Sequence, residues 1–155
     1  MTKTNAMRIL DKNKIKYDVI EYDISDGKID GVSVAEKTNQ DLKEVYKTLV
    51  TQGNTKMIYV FVIPVNEELN LKKAAKVCGE KKVDMIHVND ILKLTGYIRG
   101  GCSPIGMKKL YKTFIHKDAE VLERICVSGG KKGLQVKLSP QDLKESINAV
   151  FEDLI

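Results

Sequence analysis

Histidine is scarce in this chain: His87 and His116 are the two it has in 155 residues. Two imidazoles make no convincing metal centre and no carboxylate cluster has ligand spacing, so neither a metal nor a cofactor is expected. Cysteine is scarce as well. Cys78, Cys102 and Cys126 are odd in number, widely separated and match no Cys-x-x-Cys pattern. That excludes a disulfide framework or a paired thiolate metal site and fits reduced thiols in a cytoplasmic protein. Long hydrophobic runs are missing too. The longest, Met57 to Val65, is interrupted by Pro64, whereas a bilayer span needs about 20 apolar residues. The opening residues, Met1 to Asn5, lack the apolar segment of a secretory signal. Nor is one sign of charge in large excess. The 26 Lys and Arg against 21 Asp and Glu leave +5, too little for a protein that coats duplex nucleic acid but compatible with contact to a few phosphates. The Gly-x-Ser-x-Gly elbow, the dinucleotide fingerprint and the Walker phosphate loop are all absent.

What is present suits a globular chain. Apolar residues make up 43% and charged residues 30%, and the length suffices for one domain, residues 1–155, with its own core. The pattern predicts a first helix over Thr4–Lys12 and a strand over Tyr17–Tyr22, followed by an aspartate-rich loop. Ser33-Val34-Ala35-Glu36 reads as a capping box, and Asp41 as a second helix start. Tyr46–Thr51 and Met57–Ile63 read as the arms of a hairpin, the second apolar on both faces and therefore central. Asn70 and Gly79 bracket a helix. Short strands are expected over 83–88, 110–115, 125–127 and 134–136, with a helix from Asn89 to Leu94. Ser139-Pro140 opens a last helix that its apolar spacing extends to about Asp153. The fold class is mixed α/β, with about six or seven strands and about five helices. Strict βαβ alternation is absent, which argues against a doubly wound sheet.

Chemistry concentrates in two glycine clusters and one lysine. Gly96, Gly100, Gly101 and Gly106 alternate with Tyr97, Ile98, Pro104 and Ile105, as in a shaped loop that comes close to a ligand rather than a polar linker. Gly100-Gly101 reads either as a tight turn or as a pair of N–H groups aimed at a carbonyl or phosphate. Ser128-Gly129-Gly130-Lys131-Lys132-Gly133 reads first as a hairpin turn, with Ser128 at a strand end facing the same cavity. Lys47 is either a strand lysine reaching solvent or a half-buried cation that holds a phosphate, a ribose hydroxyl or a carbonyl. Lysine pairs recur at 72–73, 81–82, 108–109 and 131–132. They read as solvated side chains or as a basic rim around a site for RNA. Cys78 and Cys126 read as core residues. Cys102 is the one candidate pocket thiol, without a local Cys/His signature.

Five segments in this order carry a resemblance: Val45-Tyr46-Lys47-Thr48-Leu49, Leu71-Lys72-Lys73-Ala74-Ala75, Thr95 to Gly101, Ser103-Pro104-Ile105-Gly106, and Val127 to Leu134. Together they resemble the YbaK/EbsC family of aminoacyl-tRNA deacylases over nearly the whole chain. The resemblance is nearest to the Cys-tRNA(Pro) deacylase type, and more distant to the editing domain of bacterial prolyl-tRNA synthetases. It implies a barrel-like mixed sheet surrounded by helices, and a trans-editing enzyme that removes cysteine from the acceptor end of tRNA(Pro), with Cys-tRNA(Cys) as a further substrate. It implies catalytic roles for Lys47 and the backbone of Gly100 and Gly101. Substrate binding is expected at Tyr22, Tyr97, Ser128, Gly129 and Gly130, and prolyl-tRNA synthetase is the implied partner. Two positions depart from the family pattern: Gln135 replaces an acidic residue, and Cys102 an aliphatic one. The rival expectation is a non-catalytic module that binds the acceptor end or the synthetase.

Overall fold

The computed structural model describes residues 2–155. Five helices and eight strands alternate irregularly: α1 (Asn5–Lys12), β1 (Asp18–Glu21), α2 (Gly31–Lys37), β2 (Tyr46–Gly53), β3 (Ile58–Pro64), α3 (Leu71–Cys78), β4 (Val83–Met85), α4 (Ile91–Thr95), β5 (Lys112–His116), β6 (Ile125–Lys131), β7 (Leu134–Leu138), α5 (Pro140–Ser146) and β8 (Val150–Glu152). Strands β1-β7-β6 form one antiparallel sheet, and β4-β2-β3-β5-β8 form a second, mixed sheet.

The expected hairpin is β2–β3, paired from Tyr46↔Pro64 to Gln52↔Ile58. β3 also pairs in parallel with β5, so it is central and apolar on both faces. One core fills the space between the sheets, with Met7 and Leu10 of α1, Tyr46, Val62, Ile115, Val127, Val136, Leu143 and Ile147. A second core lies on the other face, where Tyr59, Phe61, Ile63 and Phe114 meet Ala74 and Ala75 of α3 and Leu154. The Phe61 and Phe114 rings stack with centroids 5.6 Å apart.

The two sheets are stitched at a point that matters for the site. Val45 forms a parallel bridge with Cys126, and Cys126 N–H donates to the Glu44 carbonyl at 2.8 Å. The entrance of β2, with Lys47, is thereby fixed beside β6 and Ser128, and the strands wrap one core in the expected barrel-like manner.

Three expectations need correction. The last helix ends at Ser146 rather than Asp153. Asn148 takes a left-handed turn at φ 52°, which asparagine tolerates better than most residues. The chain then pairs with β5 as an eighth strand, β8. The apolar spacing misled because it serves two layers, Leu143 and Ile147 in one core and Leu154 in the other. Helix α2 starts at Gly31 rather than Ser33: the Asp30 carboxylate accepts from the Ser33 N–H at 3.1 Å and from its hydroxyl at 2.7 Å. Asp41 opens a turn, not a helix; its carboxylate accepts from Lys43 N–H at 2.9 Å, and the chain runs directly into β2.

Candidate active site

A cleft of about 500 Å³ opens where the start of β2 meets β6, β7 and the glycine loops, within the usual size range of small-molecule sites. Tyr46, Lys47 and Thr48 form one wall, and Tyr22, Ile29 and Asp30 another. Arg99, Gly100, Cys102, Ser128, Lys132 and Gln135 are also among the lining residues.

Lys47 is half-buried. Burial pushes its pKa below the ordinary lysine value, while the charges of Glu68 and Glu67 partly restore it. Among the described residues it forms no ion pair, so its ammonium is available to a ligand.

Gly100 and Gly101 divide the work expected of both. Gly100 lines the cleft at φ +86°, a backbone conformation that side-chain-bearing residues rarely adopt, and a Cβ there would sit 2.7 Å from Ile29 Cδ1, which would have to move. Its N–H has no partner among the described residues. Gly101 is different. Its N–H is spent on the Ile98 carbonyl at 2.9 Å, and a Cβ would lie 2.9 Å from Lys132 N. Gly101 does not line the cleft; it lets the two glycine loops touch, backbone on backbone.

The second cluster is likewise split. Ser128 lines the cleft, and its oxygen accepts from Gly130 N–H at 3.2 Å, which leaves the hydroxyl proton for a ligand. Gly129 and Gly130 form the irregularity in the β6–β7 pairing and stand outside the lining. The Gly129 carbonyl accepts from the Thr4 hydroxyl. Gly130, at φ +100°, packs against the Tyr97 ring. Tyr97 is buried and donates to the Ile105 carbonyl at 2.6 Å, with its phenol pushed up to about 12 by burial. It braces the glycine loops from behind and is not part of the cleft wall. Tyr22 does reach the cleft.

Gln135 is buried in the cleft floor. Its carbonyl oxygen accepts from Gln40 Nε2 at 3.1 Å and from the Cys126 thiol at 3.2 Å. The amide protons are what remain for a ligand, so Gln135 offers the cleft a neutral donor. Cys102 is a lining residue whose thiol meets the buried Thr95 hydroxyl at 3.9 Å; burial pushes that thiol up to about 11, and no histidine is among the lining residues. Cys78 and Cys126 are both pushed up to about 12 by burial. A neutral thiol without a base is a poor nucleophile.

Sequence reading missed Asp30, Arg99 and Thr48 as lining residues, and Gln40 as the hydrogen-bond partner of Gln135. Arg99 lay inside the first glycine cluster and was detectable there. Asp30 was masked by neighbouring aspartates, and nothing local marks Gln40. Among the described residues, no helix is long and apolar enough to cross a membrane.

Comparison with known proteins gives this arrangement its context. The family model for the aminoacyl-tRNA editing domain matches residues 29–146. The chain is 45% identical, over 98% of its length and 93% of the relative's, to an Enterococcus faecalis protein carrying the name Cys-tRNA(Pro)/Cys-tRNA(Cys) deacylase EbsC. It is 28% identical over 64% of its length to 17% of the proline–tRNA ligase of Thermosipho melanesiensis. Among solved structures, one described as a trans-editing enzyme for prolyl tRNA synthetase superposes with TM-score 0.82 at 21% identity, over 99% of this chain and 98% of that one. The last likeness shows shared fold. With the family match and the E. faecalis relative, the chain belongs to the aminoacyl-tRNA editing domain family.

Proposed function

We propose that the protein is a trans-editing deacylase that releases cysteine from the 3′ end of mischarged tRNA(Pro) in the cytoplasm, acting as one editing domain across residues 1–155. The observation that carries this is the pairing of an unengaged, half-buried Lys47 with the unengaged Gly100 N–H in a cleft that offers no activated protein nucleophile. The name of the E. faecalis relative supports cysteine as the amino acid removed.

The arrangement favours a substrate that supplies its own nucleophile. The cysteinyl sulfur loses its proton and attacks the ester carbonyl carbon. The carbon–oxygen bond to the terminal ribose then breaks, the ribose oxygen takes a proton, and a four-membered thiolactone leaves. No water is consumed. The Gly100 N–H and the Lys47 ammonium stabilise negative charge developing on the carbonyl oxygen and the departing ribose oxygen. Ser128, Tyr22 and the Gln135 amide hold the nucleoside and the aminoacyl group so that sulfur and carbon stay within reach. Alanine has no thiol and is spared. Gly101, Tyr97, Gly129 and Gly130 act indirectly, by shaping the loops. The likeness to part of a proline–tRNA ligase supports prolyl-tRNA synthetase as the partner that delivers the substrate.

The test is release of labelled cysteine from Cys-tRNA(Pro), with Ala-tRNA(Pro) in parallel and Lys47→Ala as control. Loss of cysteine alone, dependent on Lys47, is the expected result. Stability of both charged tRNAs in the presence of the protein overturns the proposal and leaves an acceptor-end binding module.

A further inference from the structure

Of the four charged side chains that line the cleft, Asp30 is the single anion; Lys47, Arg99 and Lys132 are cations. The anion is already committed, because both its oxygens accept from Ser33. The cations are not. Elsewhere Lys3, Lys37, Lys73, Lys82, Lys137 and Arg124 are paired with carboxylates. Among the described residues, neither Arg99 nor Lys132 has such a partner. The placement of Lys132 is also enforced. The Lys132 stem runs across Gly100, its Cγ and Cε both 3.5 Å from where a Gly100 Cβ would be. The contact between Gly101 and the Lys131–Lys132 backbone fixes the loop that carries it. Arg99 precedes Gly100 directly and is exposed, whereas Lys132 is half-buried. Two uncompensated cations from different loops therefore converge on the loop that bears the free Gly100 N–H.

We propose that Arg99 and Lys132 clamp the phosphate attached to the 5′ oxygen of the terminal nucleoside whose 3′ ester occupies the cleft. This rests on the deacylase reading above and adds to it a subsite for one phosphate. Lys47, carried by β2 rather than by either glycine loop, is left to the ester end. The chemistry suits the pair: guanidinium forms forked, charge-assisted hydrogen bonds with phosphate oxygens, and the ammonium adds a compact charge. The clamp would act on affinity rather than on the chemical step, because the phosphate does not change charge during cleavage. It would also make the site prefer a chain terminus to a free aminoacyl nucleoside.

The deciding experiment is calorimetric binding of 3′-cysteinylamino-3′-deoxyadenosine, a stable amide analogue, with and without a 5′-phosphate. Wild type should bind the phosphorylated form about 10-fold or more tighter, with a log–log salt dependence steeper by about 0.7, the single-strand increment for one phosphate. Arg99→Gln and Lys132→Gln should each remove most of that preference and leave affinity for the unphosphorylated form unchanged. Both variants should fold, since Arg99 is exposed and glutamine at 132 keeps part of the stem over Gly100. Lys131→Gln, outside the lining, should retain the preference. The clamp is overturned if wild type shows no preference, if it binds neither form, or if the variants weaken both forms equally. It is also overturned if inorganic phosphate alone binds as tightly as the nucleotide, which would mark a free-phosphate site. Deacylation of Cys-tRNA(Pro) is read separately. A preference that collapses in the variants without turnover leaves the clamp standing and removes the deacylase reading; turnover without a preference does the reverse.

Discussion

Gly101 and Lys132 touch backbone to backbone: a Cβ on Gly101 would stand 2.9 Å from the Lys132 nitrogen and 3.0 Å from Lys131 Cα. Neither neighbour is a side chain that can swing aside. Gly101→Ala should therefore push the two glycine loops apart and cost about 1–3 kcal/mol, the usual range for overpacking. Turnover should fall with it, although Gly101 does not line the cleft, because Gly100 and Lys132 lose their common support. A thermal melt alongside single-turnover deacylation checks both. An alanine variant with wild-type melting and wild-type turnover would show that the loops are not mutually positioned.

Lys47 should behave in the opposite way toward stability. Its pKa is depressed by burial, so the charged form is less favourable folded than unfolded. That penalty is present at neutral pH and is relieved as pH rises through the depressed folded value. Lys47→Ala removes the penalty, and the melting temperature should stay at or slightly above that of wild type. Turnover should drop about 100-fold or more, the scale of losing one stabilising contact to a developing oxyanion. With rising pH, wild-type activity should decline before an ordinary lysine would lose its proton. Full activity in the alanine variant would remove Lys47 from the mechanism.

Cys102 tests the competing thiol-enzyme idea. Its thiol, pushed up to about 11, is almost wholly protonated at neutral pH. Cys102→Ser should leave kcat within about 3-fold of wild type, and iodoacetamide at neutral pH should modify the residue slowly. Rapid, stoichiometric loss of activity on alkylation of Cys102 would mean that the protein, not the substrate, supplies the sulfur.

How much of this was legible in the sequence depends on how local each signal is. β2 and β3 could be placed because β-branched and aromatic residues fill both arms, and α3 because Asn70 and Gly79 mark its ends. Lys47, Gly100 and Ser128 were found because unusual residues cluster in short segments. β8 was hidden because its partner, β5, lies more than thirty residues earlier in the chain, and helical spacing imitated a longer α5. The separate duties of Gly100 and Gly101 were also invisible. The two are adjacent and chemically identical, and only the Ile98 carbonyl decides which N–H remains free. The Gln40–Gln135 contact spans 95 residues, and no pattern within either segment announces it.

A last prediction concerns Thr4, which joins the N-terminal helix to the second glycine cluster. Its oxygen accepts from Met7 N–H at 3.2 Å as the cap of α1, and its hydroxyl donates to the Gly129 carbonyl. One side chain therefore satisfies a helix end and a loop that carries Ser128. Thr4→Ala should lose the cap, typically about 1 kcal/mol, and a further amount of similar size for the deserted carbonyl. For a chain of this size each kcal/mol is about 2–4 °C in melting temperature. The expected fall is thus about 4–8 °C, from the two losses at that sensitivity. Thr4→Ser keeps the hydroxyl and should restore most of it. At a temperature where the alanine variant stays folded, its KM should rise more than its kcat falls, because Ser128 loses positional support while Lys47 and Gly100 stay in place. A change confined to melting temperature would mean that the tether stabilises the fold without positioning the site.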